Sequence, residues 1–183
     1  MIDLGAAFGA VVAALEDEPA DYVIVGSTAA AAWGVLRATR DVDLVAILSS
    51  EAIERLLLRL NRDGLYAPSA EARRAGRDGG SFNVLHTQSG GKVDIFVPEP
   101  DDAFTESRMS RRIRAEVLGI PTWIATPEDI VLAKLRWRLE SRSEVQWRDC
   151  VEIATMHELD REYMVQWAAD LNVVSDLEEL LGG

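Results

Sequence analysis

Cysteine is almost absent from this 183-residue sequence, which contains only Cys150. One cysteine cannot form an internal disulfide, so the sequence indicates a reducing compartment, and we expect a cytoplasmic location. The surrounding residues, VQWRDCVEIAT, predict that this thiol is buried on a helix. The two histidines, His86 and His157, form no recognisable zinc-ligand spacing with it.

A long apolar run of the kind that crosses a membrane is also missing. The first twenty residues, MIDLGAAFGAVVAALEDEPA, have no basic start, and acidic residues bracket their apolar stretch. This pattern is unlike a secretory signal and predicts an amphipathic first helix. With 48% hydrophobic and 27% charged residues, the composition is typical of a globular protein, and we expect no membrane partner.

Basic residues are scarce, because 19 Lys and Arg stand against 31 Asp and Glu, which gives a formal net charge of −12. This charge argues against a protein whose whole surface grips nucleic acid, since phosphate binding needs concentrated Lys and Arg. Residues 108–148 are the exception, with nine basic and five acidic residues. We expect any contact with a polyanion to involve that stretch.

Hydrophobic periodicity and capping residues predict an α+β (mixed α/β) fold, with helices packed on one mixed sheet and a helical C-terminal tail. After the first helix, the first half predicts a strand at DYVIVG, a helix at STAAAAWGVL capped by Ser27 or Thr28, a strand at RDVDLVAIL and a helix at SSEAIERLLLRLNRDG.

The second half alternates between strand and helix patterns before it becomes helical. Its predicted elements are a short helix leading into a mobile loop over 69–80, a hairpin with strands near 82–87 and 92–97, two short strands joined near Gly119, a helix starting at Thr126 and Pro127, and helices over roughly 144–157, 161–171 and 175–181. We expect one domain over 1–183, with a core at 1–125 and a helical subdomain at 126–183.

Three aspartates form the main candidate site. The period of two in a strand places Asp41 and Asp43 on one face, where like charges repel unless a cation screens them. Asp94, on a later strand, can join them if the two strands are neighbours. Carboxylates are ligands for hard cations such as Mg²⁺, and phosphate oxygens can complete the coordination. The alternative is that these carboxylates are solvated or paired with arginine.

A glycine-serine pair, Gly26-Ser27, lies at the predicted strand-to-helix turn. Free backbone N–H groups at such a turn favour an anion, and glycine permits close approach. The commoner role of such a pair is a plain turn and helix cap. The number of residues between this pair and the Asp-x-Asp segment favours a phosphate-binding role here.

Taken jointly, the Gly-Ser pair, the following helix, Asp-x-Asp and a third aspartate resemble the nucleotidyltransferase superfamily, which shares a fold with DNA polymerase β. The stretches LRATRDVDLV and TPEDIVLAKLRW are similar to small prokaryotic members, among them the AbiEii-type toxins of toxin–antitoxin systems. The resemblance covers roughly residues 22–150.

The resemblance implies metal-dependent transfer of a nucleoside monophosphate from a nucleoside triphosphate to a hydroxyl or phosphate acceptor on RNA such as tRNA, on protein or on a small molecule. It implies that Asp41, Asp43 and Asp94 are catalytic and bind Mg²⁺ or Mn²⁺, with Asp94 alternatively serving as the base. It also implies that Gly26 and Ser27 hold the β- and γ-phosphates.

Basic side chains form a second group of candidates. The resemblance implies that Lys134 approaches the nucleotide phosphates, whereas a solvated lysine is the ordinary expectation for a helix. Arg37 and Arg40 either steer the triphosphate or neutralise the nearby aspartates. Asp149 is expected to bond to the helix that carries Lys134.

A non-catalytic module that keeps the fold is the alternative function. Such a module would bind a nucleotide or a partner protein, for instance an antitoxin. The acidic and apolar C-terminal stretch, VVSDLEELLGG, is the candidate docking helix.

Overall fold

One seven-stranded mixed sheet organises the chain in a computed structural model that describes residues 3–182. The strands are β1 (Asp21–Val25), β2 (Asp41–Ile47), β3 (Leu65–Tyr66), β4 (Gly80–His86), β5 (Lys92–Val97), β6 (Ile113–Val117) and β7 (Ile120–Ile124). Their order across the sheet is β3-β4-β5-β2-β1-β7-β6. The pairs β2–β5 and β1–β7 are parallel and the others are antiparallel, which confirms the predicted mixed fold.

Nine helices lie within the described residues. They are α1 (Leu4–Asp17), α2 (Gly26–Ala32), α3 (Ser50–Arg62), α4 (Ser69–Asp78), α5 (Ala103–Arg111), α6 (Pro127–Ser141), α7 (Glu144–Met156), α8 (Arg161–Ala168) and α9 (Val174–Gly182). The start of α6 is as predicted, because Thr126 accepts a hydrogen bond from the Asp129 N–H and Pro127 occupies the first turn. The four last helices confirm the predicted helical tail.

The start of α2 differs from the prediction. Its N-cap is Val25, and no side chain caps the helix, so neither Ser27 nor Thr28 has the capping role. The helix begins at Gly26, whose φ of +66° makes the turn one residue before the hydroxyls. The Thr28 hydroxyl donates instead to the backbone carbonyl of Asp41, at 3.2 Å.

Two segments in the middle of the chain also differ. The expected mobile loop within 69–80 is wrong, because α4 runs for ten residues with Ala72 and Ala75 buried, and Gly80 already belongs to β4. Helix α5 was not predicted. It begins where Asp102 accepts a hydrogen bond from the Thr105 N–H, and its few apolar residues include the buried Phe104.

The two faces of the sheet have different environments. The side chains of one face are buried beneath α1, α3 and α4; they include Val42, Leu44, Val84, Val93 and Ile95. The other face carries the candidate aspartates. Helices α2 and α5 contact it at β1, whereas Leu85 on β4 and Phe96 on β5 are 37% and 39% exposed. This second face is therefore open beside the candidate site.

The C-terminal helix α9 packs against the chain itself. Its Leu177 is buried, and Asp176 accepts a hydrogen bond from Arg138 of α6 at 2.8 Å. The apolar side of the expected docking helix is thus used within the molecule, and Gly183 lies outside the described residues. None of the helices within 3–182 combines the length and the apolar character needed to span a bilayer.

Cys150 lies on α7 with none of its surface exposed, which confirms the predicted buried thiol. Burial raises the pKa of this thiol to about 12, so it remains protonated at neutral pH. Cys150 is therefore not a nucleophile.

Candidate active site

The three aspartates meet because β2 and β5 are parallel neighbours. Asp43 lies directly across from Asp94, and Asp41 lies across from Lys92. Since side chains two residues apart share a face, all four side chains belong to the same face of the sheet. The expected adjacency of the strands that carry Asp43 and Asp94 is confirmed.

The glycine turn lies beside the same carboxylates. Strand β1 is antiparallel to β2, with Val25 across from Asp43, so Gly26 follows at the level of that carboxylate. A Cβ at Gly26 would overlap a carboxylate oxygen of Asp43 and lie 3.1 Å from the Asp43 Cβ. Ser27 is half-buried in the first turn of α2. Both the positive φ and the close approach therefore require glycine at position 26.

Asp43 carries the strongest electrostatic signature of the site. Its pKa is raised to about 6, mainly by burial and also by the negative charges of Asp41 and Asp94, against the lowering effect of Lys92 and Lys134. A carboxylate in this state gains stability from an additional positive charge. The negative charge around Asp43 is therefore only partly balanced by Lys92 and Lys134.

Asp41 is anchored through its backbone and its carboxylate. The Thr39 hydroxyl lies 2.8 Å from the Asp41 carbonyl oxygen and 3.4 Å from its Oδ1. Thr28 donates to the same carbonyl from α2. These contacts join the loop before β2, the first turn of α2 and the start of β2, so the position of Asp41 is held by local structure.

Lys92 is the main residue that sequence reasoning missed. Its ammonium lies 2.6 Å from Asp94 Oδ2 and 3.2 Å from Asp41 Oδ2. These contacts raise the pKa of Lys92, which therefore remains charged. The alternation along β5 was a usable signal, because it places Lys92 and Asp94 on one face. Its position across from Asp41 depends on the pairing of β2 with β5.

Asn83 is a second missed residue. It lies across from Asp94 on β4 and is half-buried. The row across the sheet is therefore Asn83, Asp94, Asp43 and Val25, which places an amide beside the outermost carboxylate. The pattern SFNVLH contained this signal, since alternating Phe82 and Val84 are buried and leave Asn83 on the other face.

Lys134 is close to the site but is held by other partners. It is 4% exposed, and its ammonium donates to Asp149 Oδ2 at 2.7 Å and to Gln146 Oε1 at 2.9 Å. Arg37 donates to the same Asp149 oxygen at 3.2 Å. The expected bond between Asp149 and the α6 helix is confirmed. Arg37 has a structural contact, although with Asp149 rather than with the aspartates of β2.

The remaining basic candidates are Arg40 and the basic stretch over 108–148, and their surroundings differ. Arg40 is exposed and immediately precedes Asp41. In the basic stretch over 108–148, many cations pair with acidic residues of the chain; these pairs are Arg111–Glu128, Arg112–Asp21, Arg114–Glu16, Lys134–Asp149 and Arg138–Asp176. These internal pairs reduce the capacity of the stretch to bind a polyanion.

The chemistry of the donor set fits a hard divalent cation. Three carboxylates share one face, and the pKa of Asp43 is raised by burial and by the negative charges of the other two. As they are placed, no three metal-binding side chains within residues 3–182 converge closely enough to hold one ion. The Lys92 ammonium lies between two of the carboxylates. Asp41, Asp43 and Asp94 are the residues that would hold such a cation.

Gly26→Ala is expected to weaken Mn²⁺ binding at least about tenfold, because the new Cβ displaces the Asp43 carboxylate. Gly64→Ala is the matched control, since Gly64 also has a positive φ, of +77°, but a Cβ there meets no atom within 4 Å. Gly64→Ala is expected to lose about 1 kcal/mol in the free energy of unfolding through backbone strain, and Gly26→Ala is expected to lose more, because its Cβ also overlaps the Asp43 carboxylate. Titration with Mn²⁺ and denaturant unfolding measure the two effects, and equal Mn²⁺ affinity in both variants contradicts the steric argument.

No protein-family model matches the sequence, and no curated protein matches it. Solved structures do match. An antigenic nucleotidyltransferase-like protein from Paracoccidioides brasiliensis is 16% identical, with a TM-score of 0.59 over 98% of this chain and 93% of that one. ANT(2″)-Ia, in complex with adenylyl-2″-tobramycin, is 15% identical, with a TM-score of 0.59 over 92% of this chain and 96% of that one.

A third structure of similar shape is the lincosamide antibiotic adenylyltransferase LnuA, bound to lincomycin. It is 11% identical, with a TM-score of 0.52 over 85% of this chain and 99% of that one. At identities this low, the TM-scores establish a shared fold and nothing more. The matches therefore confirm the fold that the sequence predicted.

Proposed function

We propose that this chain, whose fold is that of the nucleotidyltransferases, transfers a nucleoside monophosphate from a nucleoside triphosphate to an acceptor hydroxyl. The acceptor oxygen forms a bond to the α-phosphorus, the bond from that phosphorus to the bridging oxygen breaks, and pyrophosphate leaves. The observation that carries the proposal is the placement of Asp41, Asp43 and Asp94 on one sheet face beside the Gly26 turn.

Asp41, Asp43 and Asp94 are proposed to hold Mg²⁺ or Mn²⁺. Such an ion, when bound, neutralises charge on the triphosphate and polarises the phosphoryl oxygens. Asp94 is also the carboxylate nearest the open half of the face, since β4 and β5 carry the exposed Leu85 and Phe96. It is therefore placed to accept the proton of an acceptor hydroxyl that approaches from that side.

Gly26 and Ser27 are proposed to hold the triphosphate. The absence of a Cβ at Gly26 lets its backbone lie against the Asp43 carboxylate, and no side chain caps the first turn of α2. Arg40 is proposed as a steering cation, because its exposed side chain precedes Asp41. Lys134 is proposed to contribute its charge from the interior, where it already lowers the pKa of Asp43.

A small hydroxylated acceptor is favoured over tRNA or other RNA. The net charge of −12 repels a polyanion, and five of the nine basic residues of 108–148 are engaged in internal pairs. The open sheet face beside Asp94 offers Leu85 and Phe96, side chains that suit an apolar or amphipathic molecule. Two structures with this fold hold adenylyl-2″-tobramycin and lincomycin, which are small molecules.

The direct test incubates the purified chain with each α-labelled nucleoside triphosphate, Mg²⁺ or Mn²⁺, and three acceptor pools: small molecules, tRNA and proteins. We expect label to appear in a small molecule with stoichiometric pyrophosphate. Label in tRNA or protein contradicts the acceptor class but keeps the transfer reaction. If no pool is labelled and no triphosphate binds, the proposed function is wrong.

A non-catalytic nucleotide-binding or partner-binding module is the second candidate, and the Lys92 bridge favours it. An ammonium that remained between Asp41 and Asp94 would neutralise them without any metal. Triphosphate binding without pyrophosphate release would support this candidate. A role as the toxin of a toxin–antitoxin pair, with an antitoxin partner, remains a prediction from the resemblance.

A further inference from the structure

The Lys92 ammonium occupies the space where a cation would meet the carboxylates. It bonds to Asp94 Oδ2 at 2.6 Å and is 3.2 Å from Asp41 Oδ2, so one positive charge bridges two strands. The side chain comes from β5, two residues before Asp94 and directly across from Asp41. The bridge is thus determined by the strand register that also brings the aspartates together.

This bridge leaves the site incompletely neutralised. Three ionised carboxylates and one ammonium leave a formal charge of minus two, and Asp43 makes no contact with Lys92 in the described ion pairs. The Lys92 side chain is 35% exposed, and partly exposed ion pairs are weak. A lysine side chain is also long and flexible, so its ammonium can leave the carboxylates without a change in the backbone.

We propose that Lys92 is a built-in counter-ion that holds the place of the metal in the metal-free protein and must be displaced from Asp41 and Asp94 when a divalent cation binds. Lys92 is in this sense a positioning residue. It keeps the carboxylates together before the ion arrives and lowers the affinity for the ion. This inference rests on the proposed function, because it assigns the metal to those same carboxylates.

Competition of this kind predicts a tighter metal site when the ammonium is removed. Lys92→Met keeps most of the length of the side chain but not its charge, and we expect it to bind Mn²⁺ roughly five- to tenfold more tightly than the wild type. Lys92→Arg keeps a cation in place and is expected to stay within about twofold of the wild type. Binding is measured on the full, metal-stripped chain without nucleotide, from the electron paramagnetic resonance signal of free Mn²⁺.

A charge control separates displacement from a general change in net charge. Arg74→Met also removes one positive charge, but from an exposed side chain on α4. We expect it to change the Mn²⁺ affinity by less than about twofold. Tightening in Arg74→Met equal to that in Lys92→Met overturns the proposal, as does unchanged or weaker binding in Lys92→Met.

Thermal unfolding gives a readout that does not depend on a measured affinity. Without metal, Lys92→Met is expected to unfold at a lower temperature than the wild type, because Asp41, Asp43 and Asp94 then repel one another without a counter-ion. Saturating Mn²⁺ is expected to raise its unfolding temperature more than it raises that of the wild type. An equal Mn²⁺-induced rise in both proteins contradicts the inference.

The same titrations test the metal site and the role of Lys92 separately. If neither the wild type nor Lys92→Met binds Mn²⁺ saturably, the metal site and with it the proposed function are wrong. If both bind Mn²⁺ equally and Asp43→Asn abolishes the binding, the metal site stands and only the role of Lys92 is wrong.

Discussion

Asp43→Asn is expected to lower nucleotidyl transfer by at least about a thousandfold, because it removes the central carboxylate of the cluster. Asp43 lies two residues from Asp41 on its own strand and directly across from Asp94 on the next, so its loss removes one of the three proposed ligands. Losing a few kcal/mol of charge stabilisation in the reaction corresponds to about this factor. The rate of pyrophosphate release, measured with the acceptor identified in the labelling experiment, reports the effect.

Asp21→Asn is the matched control for that variant. Asp21 lies on the same face at the opposite end of β1, where it is exposed and bonds to Arg112 at 2.6 Å. We expect its transfer rate to stay within about twofold of the wild type, because a surface ion pair contributes little. Substantial transfer by Asp43→Asn, or an equal loss in Asp21→Asn, excludes the assigned catalytic role of Asp43.

The same Asp43→Asn variant is expected to be more stable than the wild type when metal is absent. Its folded-state pKa of about 6 lies above that of an unfolded aspartate, so the native state binds this proton more tightly. The ionised carboxylate therefore destabilises the native state above pH 6. We expect a gain of about 1–2 kcal/mol in the free energy of unfolding near pH 7.5, after allowing for partial solvation.

The stability difference between Asp43→Asn and the wild type should depend on pH in a definite direction. As pH falls from 6 towards 4, wild-type Asp43 becomes protonated in the native state, so the advantage of Asp43→Asn should diminish. Denaturant unfolding in the presence of a chelator, at several pH values, measures this trend. A gain that grows on acidification contradicts the raised pKa.

Asp149→Ala is expected to cost about 3–5 kcal/mol in the free energy of unfolding, because it leaves the buried Lys134 ammonium without its anion. Both side chains are almost fully buried, at 5% and 6% exposure. Asp149 also accepts a hydrogen bond from Arg37, which anchors the loop before β2. Denaturant unfolding of the variant measures the loss.

The double variant Lys134→Met with Asp149→Leu tests whether the unpaired charge causes that loss. Replacing both partners by apolar residues removes the pair without leaving a buried charge, so we expect stability within about 1–2 kcal/mol of the wild type. If Lys134 also acts on the triphosphate, this double variant regains stability but not nucleotide affinity. A double variant as unstable as Asp149→Ala contradicts the explanation.

The predictions that were confirmed rest on local rules. The start of α6 follows from a threonine cap and a proline in the first turn, and the hairpin from a Ser-Gly-Gly turn between alternating segments. Helix α5 and the full length of α4 were missed or misassigned because polar residues dominate both segments, and their few apolar side chains become meaningful only when packed.

The sequence alone determined that Asp41 and Asp43 share a face and that glycine stands at the strand-to-helix turn, because side-chain alternation and backbone dihedral angles are local properties. Tertiary structure decided which remote residues join them. The pairing of β2 with β5 placed Asp94 across from Asp43 and Lys92 across from Asp41. The packing of α6 against α7 placed Lys134 in an ion pair with Asp149. Register and helix packing depend on the free energy of the whole core, which no short stretch of sequence specifies.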